Sequence, residues 1–252
     1  MHEVSNPWPN LPDEPAYVLG IDQPSVNDWN QYVRSQQRFN TDGYFIHTEL
    51  LPEPFVGNLT TAAVFLLMLN PGYSPDDHDV HERCDFQQMV RSVHCQDVDC
   101  INYYLVDNMI GTPGGDYWQI RTKNLQRELA QRTGMTAEDA MRRVAEKICI
   151  LQFYPYHTAR YNQCRTAPNM RVPSQRHTCY LLQQVLNRRS IVLVMRSRTL
   201  WSGCVPSLND LLDDPTQEVY QANNPRSPYL TSGNLGQTVF DRVVEAICPN
   251  GR

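Results

Sequence analysis

Asn70-Pro71-Gly72-Tyr73-Ser74 sets an amide, an aromatic ring and a hydroxyl directly behind the apolar run Val64-Phe65-Leu66-Leu67-Met68-Leu69. The run reads as a buried strand, and Pro71 and Gly72 stop it, the one lacking an amide donor and the other free to turn. Three more apolar runs end in polar residues. Ile148–Tyr154 leads into Pro155-Tyr156-His157, Ile191–Met195 into Arg196-Ser197-Arg198, and Val219–Asn223 into Asn224-Pro225-Arg226-Ser227-Pro228. At the carboxyl ends of parallel strands these side chains would share one crevice, where open α/β sheets hold their ligands.

Several chemistries are excluded by what is missing. The first strand is not followed by GxGxxG, and the chain has no GxxxxGK[ST] and no GxSxG, which argues against dinucleotide binding, P-loop hydrolysis and a nucleophile elbow. No strand ends in paired carboxylates of the usual glycosidase kind; the nearest acids, Asp76 and Asp77, fall on a loop.

The elements that must position the strand ends alternate helix with strand. Helices are expected over Ser25–Arg38, with Ser25 as cap, and over 82–95. Others are expected over Thr122–Arg132, Thr136–Lys147, Ser174–Asn187 and Leu235–Ile247. Gly111–Gly115 reads as a turn and Pro52-Glu53-Pro54 as punctuation. Continuous apolar strands separated by helices predict an α/β domain, a three-layer α/β/α arrangement around a central, mostly parallel, four-stranded sheet. Residues 1–60 would be an N-terminal extension and 61–252 the core.

The chain has 252 residues, 41% hydrophobic and 19% charged, enough for one sizeable core. No run is long enough for a membrane span, and the start has no basic end followed by an apolar stretch. Eight cysteines without a CxxC are expected to be reduced thiols, pointing to a cytoplasmic protein. Net charge is −5, yet Lys147 to Asn209 holds no acid, Lys147 and eight arginines, a local +9. Such segregation suggests a face that attracts phosphate. Only two lysines, Lys123 and Lys147, stand beside 20 arginines.

Leu69-Asn70-Pro71-Gly72 and, further on, Asn224-Pro225-Arg226-Ser227-Pro228 resemble the two signature motifs of the uracil-DNA glycosylase superfamily. The nearest branches are the mismatch-specific and single-strand-selective ones, whose first motif carries Asn-Pro-Gly. Three features depart from that pattern. Asn224 stands where many members have His, Arg226 looks inserted, and Gln152–His157 holds no Asn where the family reads uracil.

The resemblance implies a DNA glycosylase that hydrolyses the N-glycosidic bond of a uracil-like or otherwise modified base, flipped out of single- or double-stranded DNA. Asn70 would orient the attacking water and Asn224 donate to the base oxygen as charge develops. Tyr73 and Phe86 would stack on the base, while Tyr154 and His157 read its edge. Ser74, Arg226 and Ser227 would hold flanking phosphates, with Arg196 and Arg198 at the same sheet edge. Neither lysine lies in a motif, so water is the expected nucleophile and no strand is cut through a Schiff base. No cofactor is expected. His78-x2-His81-x2-Cys84 matches no usual zinc spacing, so no metal is expected either. The chain would act as a monomer. Two other readings remain open: a non-catalytic nucleic-acid-binding relative, and a nucleoside-hydrolysing enzyme acting on small molecules.

Overall fold

A computed structural model describes residues 4–36, 43–160, 171–188 and 190–249. In chain order the elements are α1 (Gln23–Ser35), β1 (Phe55–Val56), β2 (Val64–Met68), α2 (Asp77–His81), α3 (Cys84–Cys95), α4 (Pro113–Thr133) and α5 (Ala137–Lys147). They continue with β3 (Ile148–Gln152), α6 (Gln175–Leu186), β4 (Ile191–Val194), α7 (Arg198–Cys204), α8 (Ser207–Leu212), β5 (Val219–Gln221), α9 (Ser232–Leu235) and α10 (Gln237–Ile247).

The apolar runs do form the middle of the sheet. β2, β3 and β4 are buried at every position, as strands covered on both faces must be. β2 is central: Phe65 is paired in parallel with Cys149 on one side and Val192 on the other. β5 extends the parallel array beyond β4.

The sheet has five strands in the order β1-β3-β2-β4-β5, not the four expected, and it is mixed. β1 pairs antiparallel with β3, Phe55 opposite Leu151 and Val56 opposite Ile150. Two residues between Pro54 and Gly57 carry no readable period. Their pairing depends on Gly57, whose φ of +117° and missing Cβ let the chain pass Ile148; a Cβ there would stand 2.7 Å from the Ile148 carbonyl oxygen.

Helix starts also differ from expectation. α1 begins at Gln23 with Pro24 in its first turn, so Ser25 lies inside it rather than capping it. α4 begins at Pro113, so Pro113-Gly114-Gly115 is helix rather than turn. The Thr112 hydroxyl caps this helix by accepting the Gly115 amide at 3.1 Å. The two glycines are there for close approach: a Cβ on Gly114 would overlap the Tyr104 ring, and one on Gly115 the Met109 carbonyl. The stretch before them forms two 3-10 turns, Tyr103–Leu105 and Asp107–Met109.

Trp8, Val18, Trp29 and Phe55, all from the N-terminal extension, pack into the same core as the sheet. Cys179 on α6 and Cys204 at the end of α7 are joined by a disulfide with Cα atoms 5.9 Å apart, a correction to the expectation of reduced thiols. Packing, not sequence spacing, brings the two together. Among the described residues no helix is long and apolar enough to cross a membrane.

Candidate active site

A cavity of about 670 Å³ opens at the carboxyl ends of β2, β3 and β4, within the range of ligand pockets. Its wall includes Met68 to Ser74 behind β2, Gln152 ending β3, His157 to Arg160 beyond it, and Arg196 behind β4. The loop before β1 adds Glu53, the first 3-10 turn adds Tyr104, and the start of α4 adds Gly114, Tyr117 and Trp118.

Asn70 is held by its own amide group. Nδ2 donates to the Pro71 carbonyl at 2.7 Å, the Thr158 hydroxyl at 2.9 Å and the Thr158 carbonyl at 3.2 Å. Two carbonyl partners fix which end is nitrogen, since an amide oxygen in that place would face other oxygens. Oδ1 is left as an acceptor on the cavity wall, with no protein donor among the described residues.

Glu53 is the most constrained group here and was not legible as a site residue. It is 2% exposed. Its backbone amide donates to the Pro155 carbonyl at 2.7 Å, and its carboxyl accepts the Tyr104 hydroxyl. Burial pushes its pKa up to about 8; the Tyr104 hydrogen bond pulls down against this and the nearby Asp77 charge adds to it. Asp77, in the same wall, is also raised, chiefly by burial, although the Ser74 amide donates to it at 2.6 Å.

His157 turns Nδ1 to the Gly72 carbonyl at 2.6 Å and Nε2 to the Leu51 carbonyl at 3.0 Å, with Glu53 Oε1 3.6 Å from Nε2. Burial holds its pKa down at about 4, against the two carbonyl contacts that favour the charged ring. We assign the neutral ring with its proton on Nδ1, where the contact is shorter. So held, His157 supports the Gly72 turn.

Glu53, His81 and His157 have donor atoms within 4.8 Å of one another, as do His47, Glu49 and His78. The first set does not suit a cation. The Leu51 amide donates to His81 Nδ1 at 2.9 Å, so the ring's proton sits on Nε2, the nitrogen a cation would need. In the second set His47 Nδ1 meets Glu49 at 2.8 Å, while His78 Nε2 lies 3.2 Å from the Tyr73 hydroxyl.

The structure brings Asn70, Tyr73, Ser74, His157 and Arg196 into the cavity wall. Tyr73 presents only part of its ring, because His47 stacks on one face at 3.4 Å between centroids and 7° between planes. Phe86 does not line the cavity. It is fully buried on α3, edge-on to Tyr103 at 5.4 Å, because its helical position faces the core. Tyr154 is buried and borders, with Phe153, a second cavity of about 850 Å³ between α6 and α7 rather than the one at the strand ends.

Asn224, Arg226 and Ser227 also stand outside the wall. Asn224 is exposed and closes its own turn: its Oδ1 accepts the Arg226 amide at 3.1 Å, and its backbone amide donates to Asn234 at 2.8 Å. This loop meets the cavity edge through Arg196, whose guanidinium lies 3.4 Å from the Arg226 carbonyl. Arg198 donates to Asn209 and Gln221 instead. Among the described residues, arginines 160, 171, 176, 188, 196 and 198 of the acid-free stretch make no ion pair, and 160 and 196 border the cavity. Arg165 and Arg189 lie outside the described residues.

Besides Glu53, sequence reasoning missed Tyr104, Gln152 and Thr158. Gln152 is 4% exposed, ends β3 in the cavity wall, and its Oε1 has no partner among the described residues. The strand end was a usable signal for Gln152; nothing local marked the others.

Compared with known proteins, the chain matches no family model, no curated protein and no solved structure.

Proposed function

We propose that this chain is a DNA glycosylase that hydrolyses the N-glycosidic bond of a modified base, with water as nucleophile. The reading rests on Asn70. An amide pinned through its nitrogen offers one oxygen at a fixed place on the wall of a strand-end cavity. A water that donates to that oxygen is aimed at the anomeric carbon while the base leaves. An amide is a poor base, so Asn70 orients the water and does not deprotonate it.

Three observations support the reading. Neither lysine lines the cavity, and Lys147 opens β3's amino end, across the sheet from the strand ends, which favours water over an amine. Arg160 and Arg196 border the cavity without acidic partners among the described residues, suited to backbone phosphates. β2-to-β3 and β3-to-β4 crossovers run in opposite directions across the sheet, so connections of the usual right hand would set helices on both faces, the three-layer α/β/α arrangement this reading calls for.

A second reading, hydrolysis of free nucleosides, is favoured by one fact: the Asn224–Ser227 loop stands outside the cavity wall. Abasic-site formation across oligonucleotides carrying modified bases, with Asn70→Ala as control and free nucleosides in parallel, tests both. Release from oligonucleotides that Asn70→Ala abolishes is expected. Release from nucleosides alone would replace the first reading with the second, and release from neither would overturn both.

A further inference from the structure

We infer that Glu53 is the general acid that protonates a departing purine-type base, so that the cavity takes a deaminated or otherwise modified purine in preference to uracil. The inference rests on the glycosylase reading above and deepens it.

The first ground is the setting of the carboxyl. Glu53 is buried in the cavity wall, and among the described residues no arginine or lysine pairs with it. The groups that face it are the Tyr104 hydroxyl, the His157 and His81 rings and the Asp77 carboxyl. Neither imidazole offers a compensating charge, because burial holds both neutral. A carboxyl so placed keeps its proton at neutral pH, in line with its upward shift to about 8. A carboxylic acid carrying a proton near neutrality is what leaving-group protonation requires.

The second ground is Gln152. β1 and β3 are adjacent, and the Gln152 backbone amide donates to the Pro54 carbonyl at 2.9 Å, so Glu53 and Gln152 enter the cavity from neighbouring segments. The Gln152 side chain is buried, and its oxygen has no partner among the described residues. A glutamine amide sets an acceptor beside a donor, matching the N1–H and O6 of a hypoxanthine-like edge. The same amide would hold N3–H and O4 of uracil, so the discrimination falls to Glu53. Uracil departs as an anion that donors can stabilise. A purine departs more readily with a proton on N7, beside the O6 that Gln152 holds.

Water oriented by Asn70 bonds to the anomeric carbon, and the bond from that carbon to N9 breaks with its electron pair going to the base. Glu53 gives its proton to N7. The proton shed by the water passes to Asp77 and on to solvent, and solvent returns one to Glu53. The product is an abasic site and a neutral base.

The test uses the full chain and matched oligonucleotides carrying one deoxyinosine or one deoxyuridine, followed by abasic-site formation from pH 6 to 9.5. Hypoxanthine release is expected to exceed uracil release, to fall as pH rises through about 8, and to drop about 100-fold or more in Glu53→Gln. Tyr104→Phe guards against a variant that merely fails to fold. Removing its hydroxyl takes away a bond that favours the charged carboxylate, so the alkaline fall should move to higher pH, a shift that a purely structural role would not produce. Preference for uracil, a flat profile between pH 7 and 9, or Glu53→Gln within threefold of wild type on deoxyinosine would each overturn the inference and leave the glycosylase reading standing. Release of no base from any oligonucleotide would overturn both.

Discussion

The side-chain nitrogen of Asn70 lies 2.9 Å from the Thr158 hydroxyl and 3.2 Å from the Thr158 carbonyl, tying the turn behind β2 to the segment behind β3. Thr158 thereby acts on Asn70 without reaching the reacting atoms. Asn70→Ala should lower base release about 100- to 1,000-fold, the usual loss for one preorganised polar group. Thr158→Ala keeps both carbonyl partners and should cost about tenfold, with DNA affinity unchanged in both. Single-turnover abasic-site formation with a parallel binding titration checks this. An active Asn70→Ala would remove the residue from the mechanism.

Gly114 permits the contact between Tyr104 and the start of α4, since a Cβ at 114 would overlap the Tyr104 ring. Gly114→Ala should therefore cost about 1–3 kcal/mol of stability, as overpacking does. It should also weaken the Tyr104 bond to Glu53 and raise the pH at which that carboxyl ionises. Chemical denaturation measures the first effect and a pH–rate profile the second. A variant as stable as wild type would mean that the ring moves aside without loss.

What the sequence made legible follows from which signals are local. β2 to β5 were read because an apolar run stopped by Pro, Arg or Asn is complete within a few residues. β1 was not, because Phe55-Val56 becomes a strand only when β3 lies beside it. Glu53 was lost for the same reason. Between two prolines it looks like punctuation, and its burial comes from the β1–β3 pairing and from Tyr104, 51 residues away in sequence. Gly114 and Gly115 read as turn residues because glycine signals a turn locally, whereas here the glycines admit neighbours. Asn70 was legible by position, but its pinning by Thr158 spans 88 residues and has no local trace.

Buried titratable groups set opposing slopes on stability. Glu53 rises from 4.5 to about 8 on folding, so its contribution is full below about 4.5 and is lost as pH rises toward 8. His94 and His157 fall from 6.5 to about 4, so theirs is full above 6.5 and is lost as pH falls toward 4. Between about pH 4.5 and 6.5 two rising histidine slopes outweigh one falling carboxyl slope, so from these groups stability should peak near pH 6.5 and fall toward 8. Urea midpoints across pH 4 to 8 measure it. Glu53→Gln should flatten the alkaline limb and His94→Gln the acid limb, each by on the order of a few kcal/mol. Stability still climbing at pH 8 in the wild type, and unchanged in slope by Glu53→Gln, would show that Glu53 folds as a carboxylate.

Among the described residues Arg160 and Arg196 border the cavity without acidic partners, whereas Arg132, on the far end of α4, is paired with Glu128 and Asp241. Guanidinium groups without an acidic partner at a cavity mouth are worth most to a ligand that brings phosphates. Each phosphate neutralised adds about 0.7 to 0.9 to the slope of log affinity against log salt. Arg160→Ala with Arg196→Ala should therefore reduce that slope by about 1.4 to 1.8 and weaken binding alike for every sequence. Arg132→Ala should leave both unchanged. Fluorescence anisotropy with single- and double-stranded oligonucleotides at several salt concentrations gives the slopes. Affinity independent of salt in the wild type would remove DNA as the substrate while leaving Asn70 and Glu53 free to act on a nucleoside, because neither residue needs a phosphate to hold its place in the wall.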